Sequence, residues 1–150
     1  MKTIGLASDH AGFELKQQVK AYLETNRYAY QDFGTFTGDS CDYPDYAHPL
    51  AEAVEAGRVE AGIALCGSGN GISMTLNKHQ GIRAALCWNR ELATLSREHN
   101  DANVLVLPAR FVDRHTTEDI LDAFLSTAFL GGRHQKRIDK IPKFNHSKIQ

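Results

Sequence analysis

Apolar residues along this chain of 150 residues fall into two alternating kinds of segment. The first kind is short and nearly continuous: KTIGLAS (2–8), YAYQDF (28–33), EAGIALC (60–66), IRAALC (82–87) and NVLVLP (103–108). Runs of this length, bounded by turn-forming residues, predict buried strands, YAYQDF being the weakest of the five. In the second kind apolar positions recur at helical spacing. Phe13, Leu15, Val19, Tyr22 and Leu23 predict a helix over about 12–25. Further helices are expected over 48–56, stopped at Gly57, and over 71–78, 89–99 and 116–130, the last ended by Gly131 and Gly132. The basic stretch RHQKRIDKI predicts one more short helix before Pro142, and residues 34–47, with Gly34, Gly38, Asp39, Asp42, Pro44 and Asp45, read as a long loop.

Strands alternating with helices predict an α/β fold. Its form is a three-layer, Rossmann-like sandwich: a five-stranded parallel sheet with helices on both faces, right-handed crossovers and a C-terminal helical tail. No internal repeat or low-complexity segment interrupts the pattern, and 150 residues suit a single domain over 1–150. In such folds ligands bind outside the carboxyl ends of the strands. Three places therefore carry the candidate chemistry: Ser8-Asp9-His10, the stretch from Cys66 onward, and Pro108-Ala109-Arg110.

Composition acts mainly by exclusion. The formal net charge is −1, so no basic surplus points to nucleic acid or an anionic membrane. The apolar stretch at the N-terminus is too short for a signal peptide or a membrane span. Three widely spaced cysteines (41, 66 and 87) suggest neither a disulfide framework nor a zinc knuckle, and the expectation is a reduced, cytoplasmic protein with free thiols.

The stretch GIALCGSGNGISM (62–74) places a thiol, Cys66, at the mouth of a strand-to-helix turn built from Gly67, Ser68, Gly69, Asn70 and Gly71. Glycines let successive N–H groups point at one spot in front of a helix N-terminus, which makes an anion hole. No Gly-Lys-Ser/Thr follows, so the turn is not a P-loop, and the spacing is not a dinucleotide fingerprint. Such a turn is also a common structural device, and Cys66 also reads as a small apolar residue closing a strand. In the chemical reading the thiol, in a setting that favours a thiolate, is a nucleophile or a base acting on carbon. Asp9 and His10 suit sugar hydroxyls or phosphate, although Asp9 also suits a helix cap. Arg133 and Arg137, four residues apart, suit a phosphate or carboxylate if the tail is helical, or simply form its solvated basic end. The helix over 89–99 runs back towards the amino edge of the sheet. His99 and Asn100 therefore read as a helix-terminal cation and a cap, or, if catalytic, as part of a neighbouring subunit's site.

Taken together, SDHAGFELK, DYPDYA (42–47), CGSGNGISMTLNK (66–78), REHNDANVL (97–105) and GGRHQKRI (131–138) resemble, in order and spacing over essentially the whole chain, the type B ribose-5-phosphate isomerase family. That broad family includes allose-6-phosphate and galactose-6-phosphate isomerases. The resemblance implies aldose–ketose isomerisation through a cis-enediolate, with no metal and no cofactor. By position it makes Cys66 the carbon base, Gly67–Gly71 the anion hole, and Ser68 a proton-shuttling hydroxyl where relatives commonly carry threonine. It makes His99 the ring-opening acid/base, Asp9 and Asn100 hydroxyl-binding residues, and Tyr43 a further contact. His10, Arg110, Arg133 and Arg137 become the phosphate-binding set. A branch that uses glutamate at the position of Thr75 is excluded by Cys66 and Thr75 themselves. The partners implied are a sugar phosphate and a second copy of the chain sharing its active sites, with a tetramer as the alternative. The rival substrates are six-carbon phosphates. The rival from another class is a flavodoxin-like module holding a mononucleotide phosphate on the glycine loop.

Overall fold

The computed structural model describes residues 2–143. Five parallel strands, β1 (Thr3–Ser8), β2 (Ala29–Asp32), β3 (Ala61–Cys66), β4 (Ala84–Leu86) and β5 (Val104–Pro108), lie in the order β2-β1-β3-β5-β4. The order reverses between β1 and β3, and the crevice at their carboxyl ends is where an open α/β sheet holds its ligand. The registers Ser8↔Leu65 and Cys66↔Pro108 bring the ends of β1, β3 and β5 level along that edge.

The central strands are apolar on both faces, and each face has its own core. On one, Leu6, Ile63, Leu65, Leu105 and Leu107 pack with Val19 and Leu23 of α1 (Phe13–Thr25), Ala93 of α4 (Arg90–Glu98), and Ile120 and Phe124 of α5 (Arg114–Ser126). On the other, Ala7, Ala64, Cys66 and Val106 pack with Leu50 and Ala51 of α2 (Pro44–Glu55) and Ile72 and Leu76 of α3 (Asn70–Leu76). The small residues on the second face let α2 and α3 approach the sheet closely. The tail forms α6 (Arg133–Ile138).

Most expected elements appear, with three shifts. The helix expected from 48 begins at Pro44, because the proline ring presets the first helical φ and spends no amide there. The helix expected over 116–130 runs from Arg114 to Ser126. Asp113 caps it by accepting the Thr116 N–H at 2.7 Å, and it stops at Thr127, whose backbone is extended. The fourth strand is only three residues long, its outer edge occupied by Asn77, whose side chain bonds both the N–H and the carbonyl of Ala84. Asp9 does not cap α1 directly: Gly12 is the capping residue, and Asp9 Oδ1 accepts the Gly12 N–H at 3.1 Å one turn earlier. Nor is Asn100 the cap of α4; that place is taken by His99.

Among the described residues no helix is long and apolar enough to cross a membrane.

Candidate active site

Cys66 ends β3 and is 5% exposed. Its carbonyl accepts the Ala109 N–H at 2.9 Å and that of Gly67 accepts the Arg110 N–H at 3.0 Å, so the ends of β3 and β5 are stitched together beneath the turn. The turn then needs two of its glycines. Gly69 has φ +80, a left-handed conformation, and a Cβ there would lie 2.4 Å from Leu86 Cδ1. A Cβ on Gly71 would lie 2.4 Å from Tyr43 Cζ, so the tyrosine ring occupies the space a side chain would fill. The Arg110 guanidinium lies close against Gly67. Ser68 and Asn70 are exposed on the turn, and Ser68 Oγ accepts the Asn70 N–H at 3.2 Å.

Asp9 and His10 follow β1 on the same edge. Asp9 is buried, with Oδ1 committed to Gly12. His10 Nδ1 accepts the Cys41 backbone N–H at 3.2 Å, which leaves Nε2 to carry the proton of the neutral ring and to act as a donor. Beside it lies a group that sequence reasoning did not single out. Lys16, fully buried, donates to Asp32 Oδ1 at 2.8 Å and to the Thr35 carbonyl at 2.5 Å, while Lys20 pairs with Asp32 Oδ2 at 2.5 Å. Burial alone would push the Asp32 carboxyl up. Hydrogen bonds from Lys16, Lys20 and the Gly34 amide outweigh it and hold the group below its ordinary range. Burial lowers Lys16 in turn, only partly offset by Asp32. The signal was a lysine on the apolar face of α1, three residues before Val19 and seven before Leu23.

The edge thus gathers Asp9, His10, Tyr43, Cys66, Gly67, Ser68, Gly69, Asn70, Gly71 and Arg110. It also bears exposed Trp88 and Phe111, which with Ser68, Asn70, Leu86 and Pro108 line a depression of about 420 Å³. A larger depression, about 510 Å³, lies along the outer edge of β4 and is lined by neither Cys66 nor its turn. Among the described residues no group of three or more His, Cys, Asp or Glu side chains is arranged to hold a metal ion.

His99, Asn100, Arg133 and Arg137 are not on this edge. His99 caps α4 at the opposite end of the sheet, where the Asn100 carbonyl accepts from Arg83 at the entrance to β4. A six-residue strand at about 3.3 Å per residue separates the two edges by roughly 20 Å. Arg133 and Arg137 lie exposed on α6, and its buried His134 stacks on His99 with ring centroids 4.3 Å apart and planes 14° from parallel. Desolvation, reinforced by His99, Arg133 and Arg137, holds the His134 imidazole below its ordinary range. The amino edge therefore gathers a second set of its own, His99, Asn100, Arg133 and Arg137.

A family model described as Ribose/Galactose Isomerase matches residues 4–141. The ribose-5-phosphate isomerase B of Escherichia coli (strain K12) is 44% identical over 141 residues, covering 94% of this chain and 95% of that one. The solved ribose-5-phosphate isomerase B of Clostridium thermocellum is 45% identical, with a TM-score of 0.94 over 97% of this chain and 99% of its own. That of Mycoplasma genitalium with bound ribulose-5-phosphate is 41% identical, with a TM-score of 0.90 over 96% of each chain.

Proposed function

Because the chain belongs to the ribose/galactose isomerase family and is a sugar-phosphate isomerase, we propose that it interconverts ribose 5-phosphate and ribulose 5-phosphate through a cis-enediolate, without a metal. The observation that carries this reading is the meeting of Cys66 with the Gly67–Gly71 turn at the point where the strand order reverses, flanked by Asp9, His10, Tyr43 and Arg110.

The chemistry follows from what each group can do. His99 passes a proton between the ring oxygen and the anomeric hydroxyl, which opens the furanose to the aldehyde. The Cys66 thiolate removes the proton from C2. The C–H electron pair becomes the C1–C2 double bond, and the negative charge collects on O1. Backbone amides of the turn receive that charge, which is what makes the C2 proton removable. Ser68 relays the O2 proton to O1. The Cys66 thiol then returns its proton to C1, and the carbonyl re-forms at C2. Asp9 and Asn100 hold sugar hydroxyls, with Tyr43 alongside. His10, Arg110, Arg133 and Arg137 hold the phosphate, so binding energy at the remote end positions the reacting end.

Since the two sets occupy opposite edges of one chain, a complete site takes Cys66, its turn, Asp9, His10, Tyr43 and Arg110 from one subunit. It takes His99, Asn100, Arg133 and Arg137 from another. A two-fold homodimer completes two such sites at once.

The deciding experiment is relative turnover of ribose 5-phosphate, allose 6-phosphate and galactose 6-phosphate. A kcat/KM highest on ribose 5-phosphate is expected. A higher value on a six-carbon phosphate would reassign the substrate and leave the mechanism in place. Turnover of none of the three, with a yellow chromophore co-purifying, would favour a mononucleotide-binding role instead.

A further inference from the structure

The residues that hold the His99–Asn100 turn take no part in the chemistry above. Asp101 has φ +46, a left-handed conformation uncommon for a residue with a side chain. That conformation turns the chain out of α4 towards β5, and the Ala102 N–H reaches back to the Ser96 carbonyl at 3.0 Å. Two arginines hold it there. Arg83, at the entrance to β4, donates through Nε to the carbonyls of Asn100 (3.2 Å) and Asp101 (3.1 Å) and approaches the Asp101 carboxylate at 3.6 Å. Arg97, within α4, donates to Asp101 Oδ1 at 2.9 Å and to the Ala102 carbonyl at 2.7 Å. Its Nε also reaches the Thr127 carbonyl at 3.2 Å, on the segment leading to α6.

We propose that Asp101, clamped by Arg83 and Arg97, is the positioning device of the amino-edge half-site. Arg83 sets the turn that presents His99 and Asn100, and Arg97 ties that turn to the segment carrying Arg133 and Arg137. The inference rests on the proposed role of His99 in ring opening. The planar guanidinium fork suits this role, because one rigid group spans two carbonyls and a carboxylate, whereas an ammonium is a point donor. The Arg83 side chain bonds the turn and not α6, so its loss is expected to disturb His99 and Asn100 while leaving the Cys66 edge and α6 in place.

Ring opening concerns ribose 5-phosphate alone, since ribulose 5-phosphate has its 5-hydroxyl esterified and stays open-chain. Two readouts therefore separate positioning from general damage. The first is turnover of ribose 5-phosphate. The second is exchange of the C1 hydrogen of ribulose 5-phosphate with solvent, which needs Cys66 and its turn but no ring opening. In folded Arg83→Met, turnover of ribose 5-phosphate should fall about tenfold to a hundredfold, as expected for an ångström-scale misplacement. Exchange into ribulose 5-phosphate should fall far less, and Arg83→Lys should recover only part of the turnover. If Arg83→Met does not fold, Asp101→Gly takes its place, because glycine accepts the positive φ while removing both ion pairs; the same selective loss is expected. Equal loss of both readouts, or loss of neither, overturns the proposal. Absence of both activities in the unmodified protein overturns the isomerase reading on which it rests.

Discussion

Cys66 is 5% exposed and belongs to the core beneath α2 and α3, yet it closes a strand that opens directly onto a turn of small residues. On the proposed mechanism the two neighbours share the proton transfer between them. The thiol acts on the carbon proton and the turn on the oxygen charge. Cys66→Ala should abolish exchange of the substrate C2 proton with solvent while leaving sugar-phosphate binding within a few-fold, because the phosphate contacts lie elsewhere. Proton-exchange NMR with a parallel binding titration measures both, and normal exchange in the variant would remove Cys66 from the role of base. Tyr43 shows the same economy of space. Its ring fills the place of a Gly71 side chain, so a residue from the start of α2 reaches the turn at the start of α3.

At the scale of elements, two attachments matter. The loop after β2 is held to α1 by the Lys16–Asp32–Lys20 cluster, and the same loop delivers the Cys41 amide to His10. Lys16→Met removes the charge-assisted hydrogen bonds to Asp32 and the Thr35 carbonyl while Lys20 still faces Asp32, so it should cost about 1.5–3 kcal/mol in urea unfolding near neutral pH. The pH dependence has a definite sign. The folded carboxyl of Asp32 lies below its ordinary value of 3.8. Its charge therefore stabilises the fold above that value, and the contribution is lost as pH falls through the lowered folded value. The gap between wild type and Lys16→Met should hold near neutral pH and narrow as the pH falls below 3.8; a gap that stays constant into acid would refute the assignment. The second attachment is α6, where Arg133 and Arg137 stand one turn apart on an exposed face. Replacing either by Ala should raise KM for sugar phosphates about tenfold or more, as loss of a charge-assisted phosphate contact implies. Unchanged KM in both variants would return α6 to a solvated basic helix.

At the scale of the molecule, the separation of the two residue sets becomes a prediction about assembly. Cys66→Ala and His99→Ala should each be nearly inactive alone. Mixed in equal amounts, unfolded and refolded together, about half of the dimers should be hybrids by random pairing. Each hybrid then has one doubly defective site and one intact site, so activity should return to roughly a quarter of the wild-type level. If both residues served the same site from one chain, every site in the mixture would carry a defect and no activity would return.

How much of this was legible beforehand follows from the range of the interactions involved. Strand and helix identity came through because burial of both sheet faces imposes continuous apolar runs, as in NVLVLP, and burial of one helix face imposes the spacing of Val19 and Leu23. The thiol before a glycine turn was legible for the same local reason. Two features were already implicit in chain direction: Asp9 and His10 follow a parallel strand, and His99 ends a returning helix, so their placement on opposite edges was predictable. The start of α2 was missed because a proline that opens a helix and a proline in a loop look alike without the packing that decides between them. The pairing of Lys16 with Asp32, the stacking of His134 on His99 and the hold of Arg83 on Asp101 left less trace. Each joins residues well separated along the chain, whose contact exists only once the sheet order is set. Residue types and their periodicity determined the elements and the chemical groups on offer. Which of those groups meet was decided by the tertiary structure, because long-range contacts depend on the packing of elements whose separation along the chain carries no information about their distance in space.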